Sequence, residues 1–177
     1  LSSGLIGEHT PRLRAFAQRA GLQSFAPAFP AVTCTAQSDM LTGADASHHG
    51  IVANGWLDRE NAEVRFWKQS NRLVRGEKIW HRLQREVPGF TCANLFWWYN
   101  MATDADIAIT PRPLYLADGR KSFDIHTQPM GLRESIKSAL GPFPFPSFWG
   151  PAAGIACSQW IANAARWAFD QHQPLLN

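Results

Sequence analysis

Thr33 stands between a proline-rich loop, Pro27-Ala28-Phe29-Pro30, and a stretch from Cys34 to Thr42 that reads as a helix closed by Gly43. A hydroxyl at that point sits where unpaired backbone N–H groups converge and the helix dipole favours an anion. A phosphate can be held by such first-turn amides while the hydroxyl attacks phosphorus. Threonine is a weak nucleophile at its free pKa, so this chemistry needs activation, usually by a metal ion that stabilises the alkoxide. The same position also suits a plain helix cap, and spacing alone does not separate the two. Thr35 offers a second first-turn hydroxyl, and Cys34 is either a thiolate lowered by the helix terminus or a small buried residue. His48 and His49 adjoin in a turn and carry metal-ligating rings, whereas His9, His81, His126 and His172 are isolated. Trp97, Trp98 and Tyr99 are suited to stacking a nucleobase or to filling a sheet core. Asp104, Asp106, Asp118 and Asp124 are spaced like loop acids and receive no chemical role.

A longer constellation is more specific. Thr33, Thr42-Gly43, His49-Gly50-Ile51 and Asn54 resemble, in order and without a gap, the signature of the type I phosphodiesterase/nucleotide pyrophosphatase family of the alkaline phosphatase superfamily. Gly76-Glu77-Lys78-Ile79-Trp80 is similar to that family's Gly-Glu-x-Ile-Trp, and Phe96-Trp97-Trp98 to its Phe-Trp-Pro-Gly strand end. The resemblance spans residues 8–177 and is strongest over 27–56 and 76–98. It implies that Thr33 is the nucleophile and a metal ligand, that Asn54 donates to a non-bridging phosphoryl oxygen, and that Trp98 lies on the substrate cleft. The implied activity is metal-dependent hydrolysis of phosphodiester or pyrophosphate bonds in a small phosphoester or nucleotide. Two divalent ions, zinc in the family, are the implied cofactors, held by Asp and His.

The resemblance places those remaining ligands outside the chain, upstream of Leu1 and downstream of Asn177. Residues 1–177 are therefore expected to be the N-terminal part of a single alkaline-phosphatase-like catalytic domain, inactive and metal-poor alone. Three departures bear on the substrate pocket: Thr35-Ala36-Gln37 replaces the family's Pro-Asn-His, Ala46 replaces a proline, and Trp98-Tyr99 replaces Pro-Gly. The sulfatase signature Cys-x-Pro-x-Arg is not met by Cys34 to Ser38. An alternative reading is a non-catalytic domain that keeps the fold and binds a phosphorylated ligand or a protein.

The elements that must position these residues follow from pattern. Thr10-Pro11 opens a short amphipathic helix with Leu13, Phe16 and Ala20, closed at Gly21. Leu22 to Ala26 is a candidate strand. Residues 56–75 are expected to form a hairpin excursion, and 76–86 an amphipathic helix with Ile79, Leu83 and Val87 on its apolar face. The run Thr91 to Tyr99 is dense enough for a fully buried strand. Ile107–Thr110 and Leu114–Leu116 read as short strands with prolines between them, and Asp118-Gly119 as a turn. Helices are expected over 131–140 and 155–172, the latter directing Trp160, Ile161, Ala164 and Phe169 inward; Pro174-Leu175-Leu176-Asn177 suits entry into a further strand. Alternating helices and apolar runs imply an α/β class. The resemblance sharpens this to an α/β/α three-layer sandwich with a mostly parallel sheet, incomplete in this chain.

Composition bounds the alternatives. The apolar fraction of 45% and the charged fraction of 18% exclude a disordered chain, and 177 residues suffice for one domain. The net charge of +3 is small and its basic residues are scattered, which argues against a nucleic-acid partner. Three widely spaced cysteines give no disulfide framework. No run of eighteen apolar residues is present, so no membrane-crossing helix is expected. The cysteine usage points to the cytoplasm rather than the periplasm. Oligomeric state is not encoded in any pattern recognised in the sequence.

Overall fold

A computed structural model describes residues 3–177. Helix α1 (Pro11–Ala20) begins with proline at its first position, where a missing N–H costs nothing, and buries no residue. The hydroxyl of Thr10 does not cap it: Thr10 Oγ1 accepts from Gly7 N–H at 2.9 Å instead. Leu22 to Ala26 is not a strand, and Leu22 and Phe25 are exposed with no neighbouring strand to pair them. Helix α2 (Thr33–Thr42) ends at Gly43, whose φ of 66° lets its N–H bond Asp39 O at 2.8 Å. The short helix α3 (Ala46–His49) follows, capped by the Asp45 carboxylate on Ser47 N–H.

Strands β1 (Gly55–Asp58) and β2 (Glu63–Phe66) form a separate antiparallel hairpin, with Trp56 opposite Arg65. Helix α4 (Ile79–Glu86) is placed as its periodicity predicts but turned differently. Trp80 is 1% exposed, whereas Ile79, expected on the apolar face, is 49% exposed. Trp80 carries more apolar area, and its indole N–H finds Asp104 Oδ1 at 2.8 Å, so burying the ring strands no donor. His81 Nε2 meets the other oxygen of Asp104 at 2.6 Å and fixes the same orientation.

The main sheet has order β3–β4–β5, from Ala93–Leu95, Ile107–Tyr115 and Lys121–Gln128. β3 runs parallel to β4, and β5 antiparallel to it. The apolar run 91–99 yields only three strand residues because Phe96 turns into the left-handed region, φ 59°, and takes the chain off the ladder. The two short strands expected around Pro111 and Pro113 are instead one continuous β4. Backbone groups of Ile107, Ile109 and Pro111 point toward the β3 side, where Ile107 N–H donates to Cys92 O and Pro111 O accepts from Gln69 Nε2. The prolines lie past the last β3 pairing at Leu95–Ile109, so their missing N–H groups cost no ladder bond. On the other edge of β3, Leu176 bridges Cys92 in parallel.

Helices α5 (Leu132–Leu140) and α6 (Ile155–His172) close the structure. One core cluster packs Ile109 and Ile125 of the sheet against Ile136 of α5 and Cys157, Trp160 and Ala164 of α6, with Phe143 and Phe145 filling the loop between them. Phe169 is exposed rather than inward; Ala168 takes the buried position of that turn. A second cluster joins Leu41, Trp80, Cys92 and Ala105, and a third joins Cys34, Ile51, Val74 and Tyr99. The described chain is thus a mixed α/β structure with two sheets. Among the described residues no helix is long and apolar enough to cross a membrane.

Candidate active site

Thr33 is the first residue of α2 and its side chain is exposed, while its neighbour Cys34 is wholly buried in the cluster with Ile51, Val74 and Tyr99. Successive helical residues point about 100° apart, so anchoring Cys34 in the core turns Thr33 outward. Val32, at the cap position, makes no side-chain cap, and the first turn holds no acidic residue. The positive end of the helix is therefore uncompensated from within its own sequence.

The missing cap comes from twenty residues away. Asn54 Oδ1 accepts the Cys34 N–H at 3.0 Å. That bond holds the carboxamide beside Thr33 with its oxygen turned to the helix amide, and its two N–H groups are the donors it can offer a ligand. Sequence reasoning paired these two residues, and the fold brings them together.

Three contacts carry the site from Asn54 to Trp98 and back to the helix. Asn54 O accepts the Trp67 N–H at 3.0 Å. The Trp67 ring meets the Trp98 ring edge-on, centroids 4.9 Å apart. Trp98 N–H then donates to Gln37 Oε1 at 2.7 Å. Gln37 lies four residues after Thr33 and so shares its helix face. Trp98 is half-buried, its indole N–H donates to Lys68 O at 2.9 Å, and it walls a cavity of about 640 Å³ with Phe66, Trp67, Gln69, Pro113, Tyr115 and Trp149. Trp149 was not singled out from the sequence, and Gln37 was named only within the Thr35-Ala36-Gln37 departure that bears on the substrate pocket. For Gln37 a signal existed, its i+4 spacing from Thr33 on an expected helix; for Trp149, brought in from beyond the sheet, there was none.

The histidines take structural positions. His49 is fully buried: its Nδ1 accepts Ile51 N–H at 3.0 Å, which leaves the Nε2 proton to donate to Asp39 Oδ1 at 2.7 Å. This pair locks the turn leading to Asn54 onto α2. Gly50, at φ 81°, completes the turn, and a Cβ there would stand 2.9 Å from the Arg75 guanidinium. His48 pairs with Asp45 at 3.0 Å on the surface. The hydroxyl of Ser47, then His48, hold the Asp45 carboxyl down to about 2. Asp45 and His49 stand at Asp-x-x-x-His spacing, yet one caps α3 and the other faces Asp39, so they do not converge. Among the described residues no group of three or more His, Cys, Asp or Glu side chains comes together to hold a metal ion.

The rival nucleophiles are disfavoured by burial. Thr35 is 1% exposed, and its Oγ1 has no partner. Burial pushes the Cys34 thiol up to about 11, against a smaller opposing effect of its contact with Tyr99. Iodoacetamide at pH 8 is accordingly expected to leave Cys34 unmodified in the native protein and to alkylate it after denaturation, read by peptide mass spectrometry. Rapid native alkylation would show a reactive thiolate and reopen its candidacy.

A family model described as type I phosphodiesterase/nucleotide pyrophosphatase matches residues 1–175. No curated protein and no solved structure matches the chain.

Proposed function

Because the chain belongs to the type I phosphodiesterase/nucleotide pyrophosphatase family, we propose that Thr33 is the nucleophile of a phosphodiester or pyrophosphate hydrolase. The observation that carries this reading is the exposed Thr33 at a helix start with no cap from its own N-cap residue, where Asn54 is bonded to the next backbone N–H at 3.0 Å. A phosphoryl group at the mouth of α2 would meet the helix's free amides and the Asn54 N–H donors on its non-bridging oxygens. Charge that grows there in the transition state is stabilised by donors already in place. Thr33 Oγ1 forms the new bond to phosphorus, the leaving alcohol or phosphate departs with its oxygen, and the threonine proton is released. Water then cleaves the threonine ester, restoring the hydroxyl and releasing the monoester.

The family implies two divalent metal ions. The described residues supply one suitable oxygen, Thr33 Oγ1, and no converging Asp and His set, so they do not by themselves fit such a centre. Metal dependence is proposed for the whole protein, with its ligands contributed outside these 177 residues. The three-layer sandwich with a mostly parallel sheet is likewise proposed for the whole catalytic domain, of which residues 1–177 are the N-terminal part. Trp98 is proposed to flank a small phosphoester or nucleotide substrate.

The reading is tested by acid quench of the full-length protein during turnover of a phosphodiester, followed by peptide mapping. The expected result is a phosphoryl ester on the peptide bearing Thr33. A burst of product with the adduct on another residue, or turnover with no adduct under single-turnover conditions, would overturn it.

A further inference from the structure

Two residues flanking the Trp67–Trp98 contact adopt left-handed backbone: Trp67 at φ 51° and Phe96 at φ 59°. Neither is glycine, so each side chain crowds its own backbone in this conformation. Each is held by its own N–H, Trp67 to Asn54 O at 3.0 Å and Phe96 to Ile109 O at 2.7 Å. Strain retained on both sides of one ring pair points to a required position for that pair.

One side-chain hydrogen bond ties the Trp98 backbone to the Thr33 face of α2. Gln37 Oε1 takes the Trp98 N–H at 2.7 Å, and Gln37 is half-buried on the Thr33 face of α2. The other restraints on Trp98, the Lys68 carbonyl and the Trp67 ring, both come from the hairpin side. On the α2 side Trp98 also packs against the buried cluster of Cys34, Ile51, Val74 and Tyr99, a contact without direction, so the Gln37 bond is the directional restraint from the helix.

We infer that Gln37 is a positioning residue that fixes Trp98 beside Thr33 and so makes the site discriminate for an aryl or other flat substituent on the phosphodiester. This rests on the reading of Thr33 and Trp98 given above. Gln37 forms no bond to the reacting atoms. Its effect is on which substituent is accepted, and hence on KM for the substrate carrying that substituent.

The test compares phenyl 4-nitrophenyl phosphate with methyl 4-nitrophenyl phosphate in the full-length protein. The two share leaving group and chromophore and differ in the retained substituent, so their kcat/KM ratio reports discrimination alone. Wild type is expected to prefer the phenyl ester. Gln37→Met, which keeps length and loses the acceptor, is expected to cut the ratio about tenfold, mainly through KM, as loss of one ordinary hydrogen bond does to an affinity. Gln37→Glu keeps an acceptor; its charge depresses both substrates, and the ratio is expected to stay within about twofold of wild type. A wild-type ratio near one, an unchanged ratio in Gln37→Met, or a collapsed ratio in Gln37→Glu each overturns the inference. Should Gln37→Met fail to fold, the Gln37→Glu ratio still decides. Failure of the parent reading looks different: Thr33→Ala would then turn over both esters.

Discussion

Thr33→Ala is expected to lower kcat for a chromogenic phosphodiester by at least about four orders of magnitude, the scale on which a covalent enzyme loses activity with its nucleophile. Stability should barely move. The Thr33 side chain is exposed and makes no cap bond, and α2 is held instead by Cys34 in the core and by Asn54 on the Cys34 N–H. Surface changes of that kind stay within about 0.5 kcal/mol, or roughly 2 °C for a chain of this size. Thr33→Ser keeps the hydroxyl and should retain activity within about tenfold, since only the stiffness of the side chain changes. A four-decade loss with an unshifted melt assigns the hydroxyl to chemistry; full turnover in Thr33→Ala removes Thr33 as the nucleophile.

How much of this was visible beforehand depended on the kind of information involved. Helices α2, α5 and α6 were legible because stop glycines, at Gly43 and Gly141, and 3.6-residue periodicity are local. The sheet was not, because a strand is defined by its partner. Thr91 to Tyr99 has the composition of one long strand, yet one backbone turn at Phe96 ends the pairing after Leu95. Pro111 and Pro113 signal a break, yet β4 runs through both because the side that would need their N–H groups has no strand there. β5 was hidden by exposed, polar Lys121 and Ser122 at its start. The buried face of α4 depended on where Asp104 would stand, which no periodicity reveals. At the site, Thr33 and Asn54 were found through a fixed motif. Gln37 was noted only within a departure from the pocket motif, since the bond that gives it a role reaches a residue far along the chain.

Asn54 is the position where structure and chemistry can be separated most cleanly, because its two amide atoms do different work. The oxygen caps α2 through Cys34 N–H at 3.0 Å; the nitrogen is the proposed donor to the phosphoryl oxygen. Asn54→Ala removes both. It should cost about 0.5–2 kcal/mol of stability for the lost cap, and about 10²–10³ in kcat for the lost donor. Asn54→Asp removes only the second. A carboxylate caps a helix start at least as well as a carboxamide, so its melting temperature should match or exceed wild type. Its activity should nevertheless fall by 10³ or more, on the order of the full donor loss plus like-charge repulsion of the phosphoryl oxygens. Loss of activity that tracks loss of stability through the pair would reduce Asn54 to a cap. A stable, inactive Asn54→Asp would locate the transition-state contact at the amide nitrogen, because every structural bond of the residue is then still made.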